Sequence, residues 1–127
     1  MDMTEYLMSV AMYSIKYAEA FNYNEEEVSS TLGYIFKFYQ DKTKKYSTQE
    51  LSLLTVLLTK EKKEDYDKLL KVYTLDNIKL LIENAKDIKD TLTLANKVKE
   101  LYYKKSFDVK KEDIEKIFKK RKWYKWI

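Results

Sequence analysis

"STQELSLLTVLLT", residues 47–59, opens on a polar cap and then runs from Leu51 to Thr59 without a charge. Ser47 followed three residues later by Glu50 is a capping box: each side chain satisfies a backbone N–H at the start of a helix. Beyond it, Leu51, Leu53, Leu54, Val56, Leu57 and Leu58 cover every side of a helical wheel. A helix that is apolar all round has no face to give to water, so 48–59 is expected at the centre of the fold.

The flanking sequence supplies helices to surround it. A first helix, about 4–22, aligns Leu7, Val10, Ala11, Ser14, Ala18 and Phe21 at helical spacing. A second, about 25–41, starts behind the Asn24–Glu27 cap and aligns Val28, Leu32, Ile35 and Tyr39. A shorter one follows at 63–73, turning Tyr66, Leu69, Leu70 and Tyr73 inward. Thr74 is the next N-cap candidate. From there to Lys105, Ile78, Leu81, Ile82, Ala85, Ile88, Leu92, Ala95, Val98 and Tyr102 keep one phase, with a break expected around Asp87–Asp90. The last helix is expected from near Asp108, burying Ile114, Ile117 and Phe118. One Gly and no Pro in 127 residues leave little of the turn chemistry that hairpins need. The expected fold is therefore all-α, a compact bundle of five to seven helices forming a single domain over 1–127. The lone Gly33 falls inside a helix, where it would let a neighbouring helix approach closely.

The residue inventory removes most chemistry. With no His and no Cys there is no catalytic triad, thiol nucleophile, disulfide or ordinary zinc site. No glycine-rich phosphate loop exists. Glu83, Asp87 and Asp90 fall at i, i+4, i+7 and could present a carboxylate stripe to Mg²⁺ through water, although a solvated face with a cap at Asp87 or Asp90 explains them as well. The acids at 25–27 suit a helix first turn. No catalytic residue, metal or cofactor is expected, and the chain reads as a non-enzyme. Asp2 and Glu5 stand where a secretory leader would be positive, and no apolar run approaches a membrane span. The expectation is a cytoplasmic protein, in a host cytoplasm if virus-encoded. Short, Lys- and Tyr-rich chains without catalytic residues are common among phage, plasmid and archaeal-virus proteins, though no motif carries that likeness.

Charge is unevenly spread. Residues 97–127 hold 12 Lys/Arg against 5 Asp/Glu, while 1–59 hold 5 against 8. The chain ends in "KKRKWYKWI", 119–127, where cations alternate with indoles. The basic aromatic segment 104–127 is therefore the expected nucleic-acid surface, through Lys104, Lys105, Lys116, Lys119, Lys120, Arg121, Lys122, Trp123, Lys125 and Trp126. Ammonium groups would hold phosphates and aromatic rings would stack bases. A single arginine argues against base-specific readout, so binding would be charge-driven and nonspecific. The competing readings have the Trp residues folding back onto the core beneath lysine stems, anchoring a protein partner, or settling at an anionic lipid interface. A helix-turn-helix around Thr74 is disfavoured, because Asp76, Glu83 and Asp87 would face phosphate.

A second candidate surface lies on the first helix. Met8, Met12 and Ile15 form an apolar stripe beside the core face, with little polar cover from Glu5, Ser9, Lys16 and Glu19. Either that helix is sandwiched inside the bundle, or the stripe meets a partner: a host protein complex inhibited by this chain, or a second copy in a self-assembling subunit. The twelve tyrosines are expected at core edges with wet hydroxyls.

Overall fold

In the computed structural model the backbone is described over residues 2–125 and the side chains over residues 2–118. The described residues contain eight α-helices, seven of them at least 7 residues long, and no strand. They are α1 (Met3–Phe21), α2 (Glu25–Phe38), α3 (Gln40–Thr43), α4 (Thr48–Thr59), α5 (Tyr66–Val72), α6 (Leu75–Asn84), α7 (Ile88–Lys104) and α8 (Lys111–Lys125), with a 3₁₀ turn at Lys63–Asp65. None is long and apolar enough to cross a membrane, among the residues described. The chain divides into two compact units, Met1–Asp67 and Lys68–Ile127.

In the first unit, α4 is the core against which α1 and α2 pack. Every residue from Leu51 to Leu58 is buried, as an all-apolar helix requires. The capping box forms in full: Glu50 N–H donates to Ser47 Oγ at 3.2 Å, and Ser47 N–H donates to Glu50 Oε1 at 2.8 Å. The polar residues inside α4 bond locally or to α1. Thr55 Oγ1 donates to the Leu51 carbonyl, while the Ser52 hydroxyl lies 2.8 Å from the Val10 carbonyl and 2.6 Å from that of Thr48. Gln49 Nε2 donates to Tyr17 Oη at 3.2 Å, which explains how Tyr17 enters the core with its hydroxyl satisfied. Val10, Ser14, Ala18 and Phe21 face inward as expected and Tyr17 joins them, whereas Leu7 and Ala11 are exposed.

Helix ends are made without glycine. Asn22 closes α1 in the left-handed region at φ 60°, and Tyr23 N–H donates to the Ala18 carbonyl at 2.8 Å. Asn24 caps α2 through bonds from the Glu26 and Glu27 N–H groups. α2 stops at Phe38 rather than 41, because Tyr39 leaves helical geometry at φ −129° and α3 begins a separate turn.

Gly33 does not mediate close packing: a Cβ there would meet nothing within 4 Å. Only the helix-propensity cost of glycine remains, so Gly33→Ala should stabilise the protein by about 0.5–1 kcal/mol, read as a higher urea midpoint with an unchanged m-value.

In the second unit α6, α7 and α8 pack against one another. Thr74 caps α6. Asn77 Nδ2 donates to the Val72 carbonyl at 2.8 Å and to Tyr102 Oη at 3.0 Å, so this side chain is spent internally. The interruption between α6 and α7 falls at residues 85–87, slightly before the expected position. Ala85 is extended, Asp90 N–H donates to Asp87 Oδ1, and Lys86 N–H donates to Asp90 Oδ2. Beyond the break Ala95 and Val98 are buried as expected and Thr91 and Leu94 join them, while Leu92 and Tyr102 are half-buried and Ile88 is 42% exposed. α8 begins at Lys111 instead of Asp108, because Ser106 and Phe107 adopt φ of 52° and 67° and end α7 in a tight left-handed turn. Ile114 and Phe118 are buried as expected; Ile117 is only partly covered.

Burial raises the pKa of several tyrosines. Tyr46 is pushed up to about 12, by desolvation first and then by the nearby Glu50 carboxylate, and Tyr6, Tyr17, Tyr39 and Tyr66 are raised chiefly by burial. A phenol whose folded pKa lies above its unfolded value supplies stability that is complete below the unfolded value. That stability is lost as pH climbs towards the folded one. The fold should therefore weaken between about pH 10 and 12. Tyrosinate absorbance should show a late-titrating group that vanishes on unfolding in urea.

Candidate functional site

The basic end of the second unit is assembled from the C-terminus of α7, the 105–110 connection and α8. Ile114 and Phe118 anchor α8 inward, and Lys104, Lys105 and Lys116 are exposed. Their situations differ. Lys105 Nζ sits 2.9 Å from Asp113 Oδ1, whose carboxylate also accepts the Lys110 N–H at 2.9 Å. These two donors, Lys105 first, hold the Asp113 carboxyl below the usual aspartate range, with the charge of Lys116 adding to the effect. Lys105 is thus neutralised locally and serves the turn, while Lys110 pairs with Asp108 at 3.2 Å. Lys104 and Lys116 remain exposed. The backbone of α8 continues through Lys125, so 119–125 is helical. The side chains of Lys119, Lys120, Arg121, Lys122, Trp123 and Lys125, and all of Trp126, lie outside the described residues.

The two units differ in charge, with most of the positive excess lying in 97–127. Residues 1–67 carry 8 Lys/Arg against 12 Asp/Glu, net −4; residues 68–127 carry 17 against 9, net +8. The positive unit also contains a groove of about 590 Å³ between α6 and the start of α8. Its charges are mixed: Lys79, Lys110 and Lys111 against Asp76, Glu83 and Glu115.

Glu83, Asp87 and Asp90 do not share a helical face, since the chain is extended between them and the two aspartates cap α7. Among the described residues no cluster of three or more metal-ligating side chains occurs. The Asn77 side-chain amide N–H groups are spent on the Val72 carbonyl and Tyr102 Oη, and Asp76 and Glu83 are exposed on α6. Nothing there resembles a base-reading helix.

On the first unit, Met8, Met12 and Ile15 are 62%, 61% and 43% exposed, joined by Met3 and Leu7. The stripe is accordingly an outer face of α1. Beside it, α1 and α2 enclose a cleft of about 110 Å³ lined by Ala11, Ser14, Ile15 and Leu32, among others. Ser14 is 5% exposed, and its Oγ has no hydrogen-bond partner among the described residues. A helical serine usually donates to the carbonyl four residues back. That acceptor, Val10 O, is already approached by the Ser52 hydroxyl.

One surface escaped the sequence reading. Tyr34, Phe38, Tyr39 and Tyr66 form a ring cluster, with Tyr34 and Tyr66 edge-to-face at 5.6 Å and Tyr34 and Phe38 at 4.6 Å. Lys63 lies 4.8 Å from the centroid of Tyr34, Lys37 5.3 Å from Phe38 and Lys42 5.6 Å from Tyr39. Tyr66 is buried and Tyr34 and Tyr39 half-buried, in keeping with core-edge tyrosines; Phe38 is the exposed member. The i, i+4 pair Tyr34/Phe38 could have signalled it.

No family model, no curated protein and no solved structure matches this chain.

Proposed function

We propose that this is a non-enzymatic protein that associates with nucleic acid through the basic C-terminal segment 104–127, driven by charge and indifferent to sequence. The observation that carries the reading is the segregation of charge: the unit bearing that segment has net +8, twice the whole-chain excess of +4. Concentrated cations release condensed counterions from a phosphate backbone, and that release supplies most nonspecific affinity. Lys104 and Lys116 are exposed, and further cations follow in the sequence over 119–125. Trp123 and Trp126 would add stacking, which favours single strands. Lys105 contributes least, because its charge is held by Asp113.

A mobility-shift assay with two unrelated oligonucleotide sequences, each single- and double-stranded, tests the proposal. Comparable retention of both sequences at low salt, lost at high salt, is the expected outcome. Retention of neither sequence at low salt would overturn it.

A further inference from the structure

The α1 stripe is apolar and flanked by acids, a chemistry that does not suit phosphate. Its residues recur as Glu5, Met8, Met12, Ile15 and Glu19, spacings of three and four that lay one straight seam along the helix. Three flexible or branched apolar side chains occupy the middle and a carboxylate stands at each end. Neither Glu5 nor Glu19 makes an ion pair among the described residues, and both are exposed. The cation on this helix, Lys16, lies 5.6 Å from the centroid of its own Tyr13 ring. Ile15 and Ala11 continue the seam into the α1–α2 cleft, where Glu25 adds a further acid and the orphaned Ser14 Oγ sits on the wall.

We infer that this face, Met8, Met12 and Ile15 together with the α1–α2 cleft, docks an amphipathic helix of another protein whose apolar stripe ends in lysine or arginine. A helix laid beside α1 would cover the seam with residues at i, i+3 or i+4 and i+7, the usual helix-in-groove mode, and methionine adapts readily to such a partner. Basic ends would meet Glu5 and Glu19, so the charges select the partner. A second copy fits poorly. Parallel self-pairing sets Glu5 on Glu5 and Glu19 on Glu19, and antiparallel pairing about Met12 sets Glu5 on Glu19. Either arrangement brings carboxylates together at both ends of the seam, which opposes self-pairing.

The test uses the whole protein and two labelled synthetic helical peptides with leucines at i, i+3, i+7 and i+10, one ending in lysines and one in glutamates. Fluorescence anisotropy at moderate salt is expected to show tighter binding of the lysine-ended peptide. The double variant Met12→Gln/Ile15→Gln, altered only at exposed positions, should weaken that binding at least about tenfold while leaving the circular dichroism melt in place. Glu5→Lys/Glu19→Lys should invert the preference towards the glutamate-ended peptide. Binding of the lysine-ended peptide that is unmoved by either pair of substitutions would overturn the inference. So would sedimentation showing a wild-type dimer that Met12→Gln/Ile15→Gln dissolves, since the occupant would then be a second copy. Neither result bears on oligonucleotide retention, so the two proposals fail separately.

Discussion

Leu54→Ala should lose roughly 2–5 kcal/mol of folding stability, visible as a large fall in the urea midpoint. Leu54 is fully buried in the middle of α4, the helix on which α1 and α2 both pack. Truncation removes apolar surface from the centre and leaves a cavity that rigid neighbours on several sides cannot close. A small domain has about 5–15 kcal/mol in total, so the variant should be measurably unfolded at moderate urea. Met12→Ala provides the contrast. That side chain is 61% exposed, and its truncation should shift the midpoint by no more than about 0.5 kcal/mol. If Leu54→Ala and Met12→Ala proved equally mild, α4 would not be the core.

Replacing Lys119, Lys120, Arg121 and Lys122 together with Gln should reduce affinity for a single-stranded oligonucleotide on the order of a hundredfold at low salt. Each lost phosphate contact should also lower the slope of log K against log salt by roughly 0.7, about 3 for all four. The slope is the sharper readout, because it counts released ions and is insensitive to modest losses of fold. Lys105→Gln should move the slope little, its charge being held by Asp113, while Lys116→Gln should move it by one contact. A quadruple variant that bound as tightly as the parent would place the binding elsewhere.

How much of this was legible in the sequence depends on the kind of signal. The centrality of 48–59 was, because six aliphatic residues around a wheel permit no other placement. So were the caps at Ser47, Asn24 and Thr74, where a polar side chain in the right position has a single job. Register was less legible. Val10, Ser14, Ala18 and Phe21 are core as their spacing implies, but Leu7 and Ala11 are exposed, and Tyr17 is buried because Gln49, distant in sequence, satisfies its hydroxyl. α7 was legible in part: Ala95 and Val98 are buried as their spacing implies, whereas Ile88, just past the extended backbone at Ala85 and Asp87, is exposed, and no Gly or Pro marks that interruption.

The candidate surfaces divide similarly. The Met8/Met12/Ile15 stripe is visible as spacing alone, and the structure places it outside. The orphaned Ser14 hydroxyl is invisible in sequence, because it depends on Ser52 reaching Val10 from α4. The pairing of Lys105 with Asp113 depends on the left-handed turn at Ser106 and Phe107, which no local rule for those residue types predicts. The concentration of charge at 97–127 needed no coordinates; the membership of those residues in the second unit did.

The most direct test is an amide chemical-shift map of the isotope-labelled protein titrated with a short single-stranded oligonucleotide at low salt. Shifts concentrated in 104–127 and reversed by added salt are predicted. Shifts centred on α1 or the Tyr34–Phe38 ring cluster, or none at all, would contradict the assignment of nucleic-acid binding to the basic end of the second unit.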